Sequence, residues 1–316
     1  TRIAGLGRSV SPIADLRAFI SLIAMIRSIK PDVIHTHTAK AGVLGRLAAI
    51  LSGSRATRIH TFHGHLLHGY FTGWKTQLVI AIEKFFASRT NVLIAVGNHV
   101  KRDLLQAGIG KENQYQVIYP GLPEPHISDK ESLRKKFELD PGTVYVTFVG
   151  RLTKIKRPDR LLDVADLCKD RNIHFLVAGE GDLFEGTKSR AEAEKLPITF
   201  LGWRSDIAEL FTATDIAILT SDNEGIPLTL IQAAQAGLPI VATNVGSISD
   251  IVIDKQNGLL TDTSAISMAQ ALISVADNAQ LRTSMGLAGK AHSHAHFSLE
   301  KSLSDHLALY KNSHNR

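Results

Sequence analysis

The stretch IAILTSDNEGIPLTLIQAAQAGLPIVAT, residues 216–243, holds a strand, a turn, a helix and a second strand in one reading. Ile216–Leu219 is a short apolar run without in–out alternation, the pattern of a parallel strand covered on both faces. Ser221-Asp222-Asn223-Glu224-Gly225-Ile226-Pro227 is turn composition. Pro227 suits a first helical turn and Gly237 a position just past a helix end, so the spacing predicts a helix from about Ile226 through Ala236. Ile240–Ala242 is the next strand. A helix that starts beyond a strand's carboxyl end aims free N–H groups and its positive dipole end at whatever lies there, and an anion, above all a phosphate, is held best. Glu224 stands at the tip of that turn, able to accept hydrogen bonds from hydroxyl groups. The plainer reading is a capped core helix with an incidental acid.

The same alternation runs outward in both directions. Strands are predicted at Val33–Thr36, Arg58–Phe62, Val92–Val96, Gln116–Tyr119, Tyr145–Val149, His174–Ala178 and Thr199–Leu201. Between the strands of the whole chain the reading places helices at Ile13–Ile29, Ala41–Leu51, Thr76–Ala87, Val100–Ala107, Pro158–Lys169, Asp206–Phe211 and Met268–Ala276. Strands alternating with helices imply α/β architecture with parallel sheets. The rhythm breaks at 120–143, where Pro120, Gly121, Pro123 and Pro125 precede a short charged helix and Asp140-Pro141-Gly142. The reading is therefore a first domain over 1–121, a second over 122–297, and a final helix and polar tail over 298–316. The first domain opens on a helix, whereas a doubly wound domain opens on a strand whose following loop meets the ligand.

The chain has 316 residues, 44% of them hydrophobic and 21% charged, with one cysteine. A lone Cys168 excludes a disulfide framework and cysteine-rich metal folds, fits a reducing compartment such as the cytoplasm, and reads as a buried packing residue. No uncharged apolar run approaches the roughly 18 residues of a membrane span. The net charge of +6 is unevenly spread: residues 1–120 carry 15 Lys and Arg against 5 Asp and Glu, residues 121–316 carry 21 against 25. A basic first half fits an anionic partner or merely a solvated surface.

Two further constellations stand out. Val149-Gly150-Arg151-Leu152, followed by Lys156 and Arg157, lies at a predicted strand's carboxyl end. A glycine permits close backbone approach, and an Arg fork with a Lys point charge suits a pyrophosphate; a solvated charge cluster is equally open. His35, His37, His60, His63, His65 and His68 cluster around two strands in the first half. Zinc ligation is the minority reading, because carboxylates are scarce there; histidines lining a cleft, with others hydrogen-bonded structurally, is the main one. Gly179-Glu180-Gly181 lacks the third glycine of a dinucleotide fingerprint, and neither a P-loop nor a nucleophile elbow occurs.

Val149-Gly-Arg-Leu152 with Lys156, Ala178-Gly-Glu-Gly181, Phe200-Leu-Gly-Trp203 and Ser221 through Glu224-Gly-Ile-Pro227 to Gly237-Leu-Pro-Ile-Val-Ala-Thr243 resemble, in order and spacing, glycosyltransferase family 4. Pro31 to His37, Thr61-Phe-His-Gly64 and Val117-Ile-Tyr-Pro-Gly121 resemble the acceptor domain of that family, and bacterial capsule, exopolysaccharide and O-antigen enzymes come nearest. The resemblance implies a GT-B fold, two Rossmann-like domains facing a cleft, and sugar transfer with retention from a UDP- or GDP-sugar to a lipid-linked or oligosaccharide acceptor, without a metal. It implies that Arg151 and Lys156 bind the donor pyrophosphate. Glu224, with the N–H groups near Gly225 and Ile226, would hold the sugar, and Leu228 and Thr229 would add phosphate contacts. Gly150 and the backbone around Trp203 would line the donor site, and His63 would stand beside the transferred sugar on the acceptor side. Fixed cations and a helix N-terminus neutralise a departing phosphate without further help.

Two departures from the family pattern matter. Its second glutamate, eight positions after the first, is Gln232 here, which implies donor binding weaker by about 1–2 kcal/mol. Its opening strand and Gly-rich loop, on the order of 60 residues at ordinary element lengths, are not in the sequence, so the expectation is a chain beginning partway into a longer protein and poorly active alone. A sugar-nucleotide epimerase of similar fold and a non-catalytic nucleotide-sugar-binding fragment are the competing readings. A nucleic-acid binder fits least, since aromatics do not interleave with the cations. Finally, Ile13–Ile29 carries an apolar stripe edged by Arg17, Arg27 and Lys30; it fits either packing on its own sheet, the commoner use, or peripheral binding to an anionic membrane at the inner face.

Overall fold

The computed structural model describes residues 3, 11–64, 73–125 and 129–314. The chain divides into two compact units, one of Thr1–Tyr119 with Ser302–Arg316, the other of Pro120–Lys301.

The first unit runs α1 (Pro12–Ile29), β1 (Val33–His37), α2 (Ala39–Leu51), β2 (Thr57–Phe62), α3 (Trp74–Ala87), β3 (Val92–Ala95), α4 (Asn98–Gln106) and β4 (Tyr115–Val117). The four strands pair in sequence order, all parallel, with His35 opposite Ile59 and His37 opposite Thr61. Leu93, Ile94 and Ala95 are fully buried, which explains their unbroken apolar run. Ile59, Ile94 and Ile118 pack with Leu309, which belongs to the last helix of the chain. Arg46 and Glu83 form a buried pair at 2.8 and 3.0 Å, with the guanidinium 4.8 Å from the Phe86 ring centre. Burial pushes the Glu83 carboxyl up, and Arg46 opposes that shift. Helix α1 buries Ala18 and Ile26 and packs Phe19, Leu22 and Ile23 around Ala48 and Ala49 of α2, the use that is commoner for such a stripe. Its other side leaves Ile13, Leu16 and Ile20 exposed.

The second unit runs α5 (Lys130–Lys136), β5 (Val144–Val149), α6 (Pro158–Leu167), β6 (Ile173–Ala178), α7 (Phe184–Ala193), β7 (Ile198–Gly202), α8 (Ile207–Ala213), β8 (Ile216–Leu219), α9 (Leu228–Gln235), β9 (Ile240–Thr243), α10 (Ile248–Ile251), β10 (Gly258–Thr261), α11 (Ala265–Ala276) and α12 (Ala279–Phe297). Helix α13 (Leu299–His314) begins here and ends in the first unit. The sheet order is β10-β9-β8-β5-β6-β7, every pairing parallel. The chain builds outward from β5 to β7, then returns to lay β8 on the other side of β5. Strand order reverses between β5 and β8, the place where doubly wound sheets bind ligands. Ile216–Leu219 and Ile240–Ala242 are at most 1% exposed, so helices cover both faces.

Two helices that meet at the end of the decisive stretch differ from the sequence expectation. Helix α9 starts at Leu228 rather than near Ile226, because Pro227 keeps an extended ψ of 104° and caps the helix instead of entering it. Helix α12 went unread: Gly286, Gly289 and three histidines weaken its apolar periodicity. Tertiary packing sets it, since a Cβ at Gly286 would overlap the Gly237 carbonyl, so the glycine lets α12 close onto the end of α9. Cys168 is fully buried at the end of α6, and burial pushes its thiol up to about 11.

Candidate functional site

In the second unit, loops leaving β5 and β8 meet at the reversal of strand order. After β5 the backbone is pinned to the neighbouring loop by Gly150 N–H donating to Ala178 O at 3.0 Å and Leu152 N–H to Glu180 O at 3.0 Å. A single 3-10 turn, Lys154–Lys156, then aims Lys156 at Glu224. Lys156 Nζ donates to Glu224 Oε1 at 2.5 Å, and Ser221 Oγ donates to the same oxygen at 2.6 Å. The two charged side chains are only 20% and 10% exposed, so each depends on the other for its charge balance. Arg151, one turn earlier, is exposed and makes no ion pair with a described residue.

The loop carrying Glu224 is braced from both sides. The Thr243 hydroxyl donates to Ser221 O at 2.6 Å. Gly246 adopts φ +56°, and a Cβ there would overlap the Glu224 carbonyl; only glycine serves both the conformation and the approach. From the β5 side, buried Arg160 donates to Thr220 O at 2.5 Å and to Asp222 at 2.7 Å. Arg157, held at φ +51°, reaches Asp159 and also Asp222 at 3.1 and 3.2 Å, and the Asp159 carboxylate raises its pKa. This Arg157–Asp222–Arg160 clamp escaped the sequence reading; only the charged residues themselves were visible there.

Beyond Glu224 the chain offers donors. The N–H groups of Gly225, Ile226, Leu228 and Thr229 meet no acceptor among the described residues, and Pro227 has none to offer. Together with the dipole of α9 they form a site for negative charge. Leu228 is 45% exposed, and Gln232 lies one turn further along α9, half-buried. Gly150 is not demanded by packing: a Cβ there would sit 3.5 Å from the Phe148 ring and 3.8 Å from the Lys156 stem, ordinary contacts. Trp203, at the end of β7, is 72% exposed. Thus Gly150, Arg151, Lys156, Trp203, Glu224–Ile226, Leu228, Thr229 and Gln232 all lie at or just past the carboxyl edge of one sheet.

The first unit gathers histidines at the corresponding edge of its own sheet. His37 Nδ1 and His63 Nε2 are 3.0 Å apart. His35 bonds the Tyr310 hydroxyl and Thr61 Oγ1, both at 2.7 Å, and His306 stacks at 6.0 Å. His60 is buried with its Nδ1 2.8 Å from Thr36 Oγ1. Burial, then the neighbouring imidazoles, pulls His35 down to about 3. Burial and Arg46 pull His60 down to about 2. His37 and His63 are lowered too, chiefly by burial, so the cluster is neutral at pH 7. Among the described residues no three His, Cys, Asp or Glu side chains converge as metal ligands. His65 and His68 lie outside the described residues.

Comparison with known proteins agrees with this architecture. A family model for glycosyl transferases group 1 matches residues 129–292, and one for glycosyltransferase family 4 matches residues 4–124. The chain is 30% identical over 287 residues to the Escherichia coli UDP-Gal:alpha-D-GlcNAc-diphosphoundecaprenol alpha-1,3-galactosyltransferase, covering 86% of this chain and 73% of that protein. It is 24% identical over 298 residues to the capsular polysaccharide biosynthesis glycosyltransferase CapM of Staphylococcus aureus, covering 90% and 77%. In fold it superposes on Anabaena Alr3699/HepE, crystallised with UDP, with a TM-score of 0.85 at 21% identity, covering 93% of this chain and 82% of that one. Order of motifs, sheet topology and family match converge, and the chain belongs to the group 1 glycosyl transferases, a glycosyltransferase of family 4 with the GT-B fold.

Proposed function

We propose that this glycosyltransferase moves a sugar from a UDP-sugar to a lipid-linked or oligosaccharide acceptor, with retention at the anomeric carbon and without a metal, in building a cell-surface polysaccharide. The observation that carries the reading is the Lys156–Glu224 pair at the reversal of strand order, flanked by Arg151 and by the N–H groups at the start of α9, which meet no partner among the described residues. A nucleoside diphosphate leaving group develops negative charge on its terminal phosphate. Arg151 and Lys156 neutralise that charge, and the N–H groups of Gly225, Ile226, Leu228 and Thr229 donate to its oxygens without reorganising. Glu224, partly released from Lys156 when the diphosphate arrives, takes the donor sugar's hydroxyls; Gln232 accepts from the ribose, and the backbone beside Trp203 meets the base. On the first unit, His63 with His37 serves the acceptor side as a neutral hydrogen-bonding pair. Support for uridine and for a lipid diphosphate acceptor comes from the Escherichia coli relative, a UDP-Gal:alpha-D-GlcNAc-diphosphoundecaprenol alpha-1,3-galactosyltransferase. An acceptor of that kind puts the enzyme at an anionic membrane, on its inner face; among the described residues no helix is long and apolar enough to cross a bilayer.

The test is nucleotide release over a panel of UDP- and GDP-sugars, with and without a lipid diphosphate sugar acceptor, followed by NMR of the product's anomeric proton. Acceptor-dependent UDP release and an anomeric configuration matching the donor support the reading. Donor interconversion without acceptor, preference for GDP-sugars, or an inverted product contradicts it.

A further inference from the structure

The first unit presents an apolar helix face that its own core does not use. On α3, Trp74, Leu78, Ile82 and Phe85 are exposed by 71%, 51%, 37% and 45%. Their spacing of four, four and three puts them on one side of the helix, where exposed Ala81 lies among them. The opposite side is the packed one: Glu83, Phe86 and Ala87 are buried. The stripe is thus complete over three turns, and it is bordered by cations. Lys75 lies 5.9 Å from the Trp74 ring centre and the Arg89 guanidinium 3.9 Å from that of Phe85, with exposed Lys84 between. The only carboxylate on α3 is Glu83, and it is turned inward onto Arg46. The face therefore offers tryptophan, aliphatic and cationic groups with no exposed acid. Helix α1 also exposes aliphatics, but its first turn holds Asp15, bound to Lys40, and no aromatic on its exposed side.

We infer that the α3 face, Trp74–Leu78–Ile82–Phe85 with Lys75, Lys84 and Arg89, docks the enzyme onto an anionic lipid bilayer. The inference rests on the membrane part of the function proposed above and names the surface that performs it. An apolar stripe of this width inserts shallowly among headgroups and acyl chains, while the bordering cations gain from anionic headgroups. Tryptophan at one end of the stripe settles at the interface, its ring apolar and its N–H wet. A protein partner would be expected to answer three cations with an acidic face of its own; a bilayer answers them with headgroups and needs no complementary shape.

The chain has two tryptophans, Trp74 and Trp203. In a Trp203→Phe background, used for binding alone, Trp74 is the sole reporter. Vesicles of phosphatidylglycerol and phosphatidylcholine are expected to shift its emission to the blue and to sediment the protein, whereas pure phosphatidylcholine gives a weak response or none. Lys75→Gln and Lys84→Gln should each lower vesicle affinity about fivefold at low salt, and less at high salt. Leu78→Ser with Phe85→Ser should abolish sedimentation while thermal unfolding stays unchanged, both positions being exposed. Sedimentation without a Trp74 shift would overturn the α3 assignment and leave membrane binding intact. No sedimentation of the unaltered chain would overturn both, while the transfer assay above still judges the donor and acceptor independently. A blue shift that grows with protein concentration in the absence of vesicles would make the face a contact between copies and refute the proposal.

Discussion

The two sheets end in opposite ways. Both units lay their chemical residues past the carboxyl edges of parallel strands, yet one edge is built from neutral imidazoles and the other from ionised groups. In the first unit, His35 and His60 are held far below the usual histidine range by burial. In the second, Lys156 is paired with Glu224, and Arg151 stays open to solvent. Similar topology therefore does not fix the electrostatics of a strand-end site; the loops do. One edge is suited to hydrogen-bonding neutral hydroxyls, the other to meeting a diphosphate.

The sharpest way to break this contrast is to remove its cation. Lys156→Ala leaves Glu224 mostly buried with Ser221 alone, so we expect a cost of about 3 kcal/mol in stability and about a hundredfold loss in UDP affinity. Denaturant unfolding and calorimetric titration check the two separately. Acid addresses the other edge. His60 binds no proton in the folded state until about pH 2, whereas its unfolded form titrates at its ordinary 6.5. Its contribution is therefore complete above pH 6.5 and is lost as pH falls, on the order of 2 kcal/mol by pH 5, with His35 adding in the same direction. Hydrogen exchange at pH 7 and pH 5 should show β1 and β2 losing protection before β5 and β8; equal loss in both would remove the contrast.

Smaller effects sharpen it. Arg160→Met removes the inner half of the clamp on Asp222 and frees the Thr220 carbonyl, and should cost about 1–2 kcal/mol with a few-fold weaker UDP binding. Arg160→Lys should recover part of the stability but not the two-point hold. Gln232→Glu should leave UDP-sugar affinity equal or tighter, by up to about tenfold; a large loss would mean that position 232 does not face the ribose. Gly150→Ala fits the protein without strain, so its melting temperature should not move, while a Cβ in the path of the donor lowers UDP affinity by about fivefold. Unchanged affinity would show that the donor does not approach there.

Much of this was legible in the chain because local and tertiary preferences agreed. Ile216–Leu219 reads as a buried central strand and is one; Gly237 follows α9 at φ +77°, the left-handed position a helix end favours. Pro227 misled by two residues because proline serves equally as first helical residue or as an extended cap. Helix α12 was hidden because its Gly286 answers to a partner 49 positions away, the Gly237 carbonyl, and not to helix propensity. At the site, Lys156 and Glu224 were readable as types, but their contact spans 68 residues. His35 and Tyr310 are 275 apart, and nothing local to either predicts a hydrogen bond that draws the last helix onto the first sheet. Spacing along the sequence shows which groups reach a strand end; which of them neutralise one another depends on loops that fold over each other.

On the proposed function, diphosphate recognition belongs to the cationic edge of the second unit and owes nothing to the histidine edge of the first. Calorimetric titration of UDP into the unaltered chain, Arg151→Ala with Lys156→Ala, and His37→Ala with His63→Ala tests it directly at pH 7.5. UDP is expected to bind the unaltered protein and the histidine variant with the same affinity, and not to bind the Arg151 and Lys156 variant. Full binding after loss of both cations, or its loss with the histidines, would contradict it.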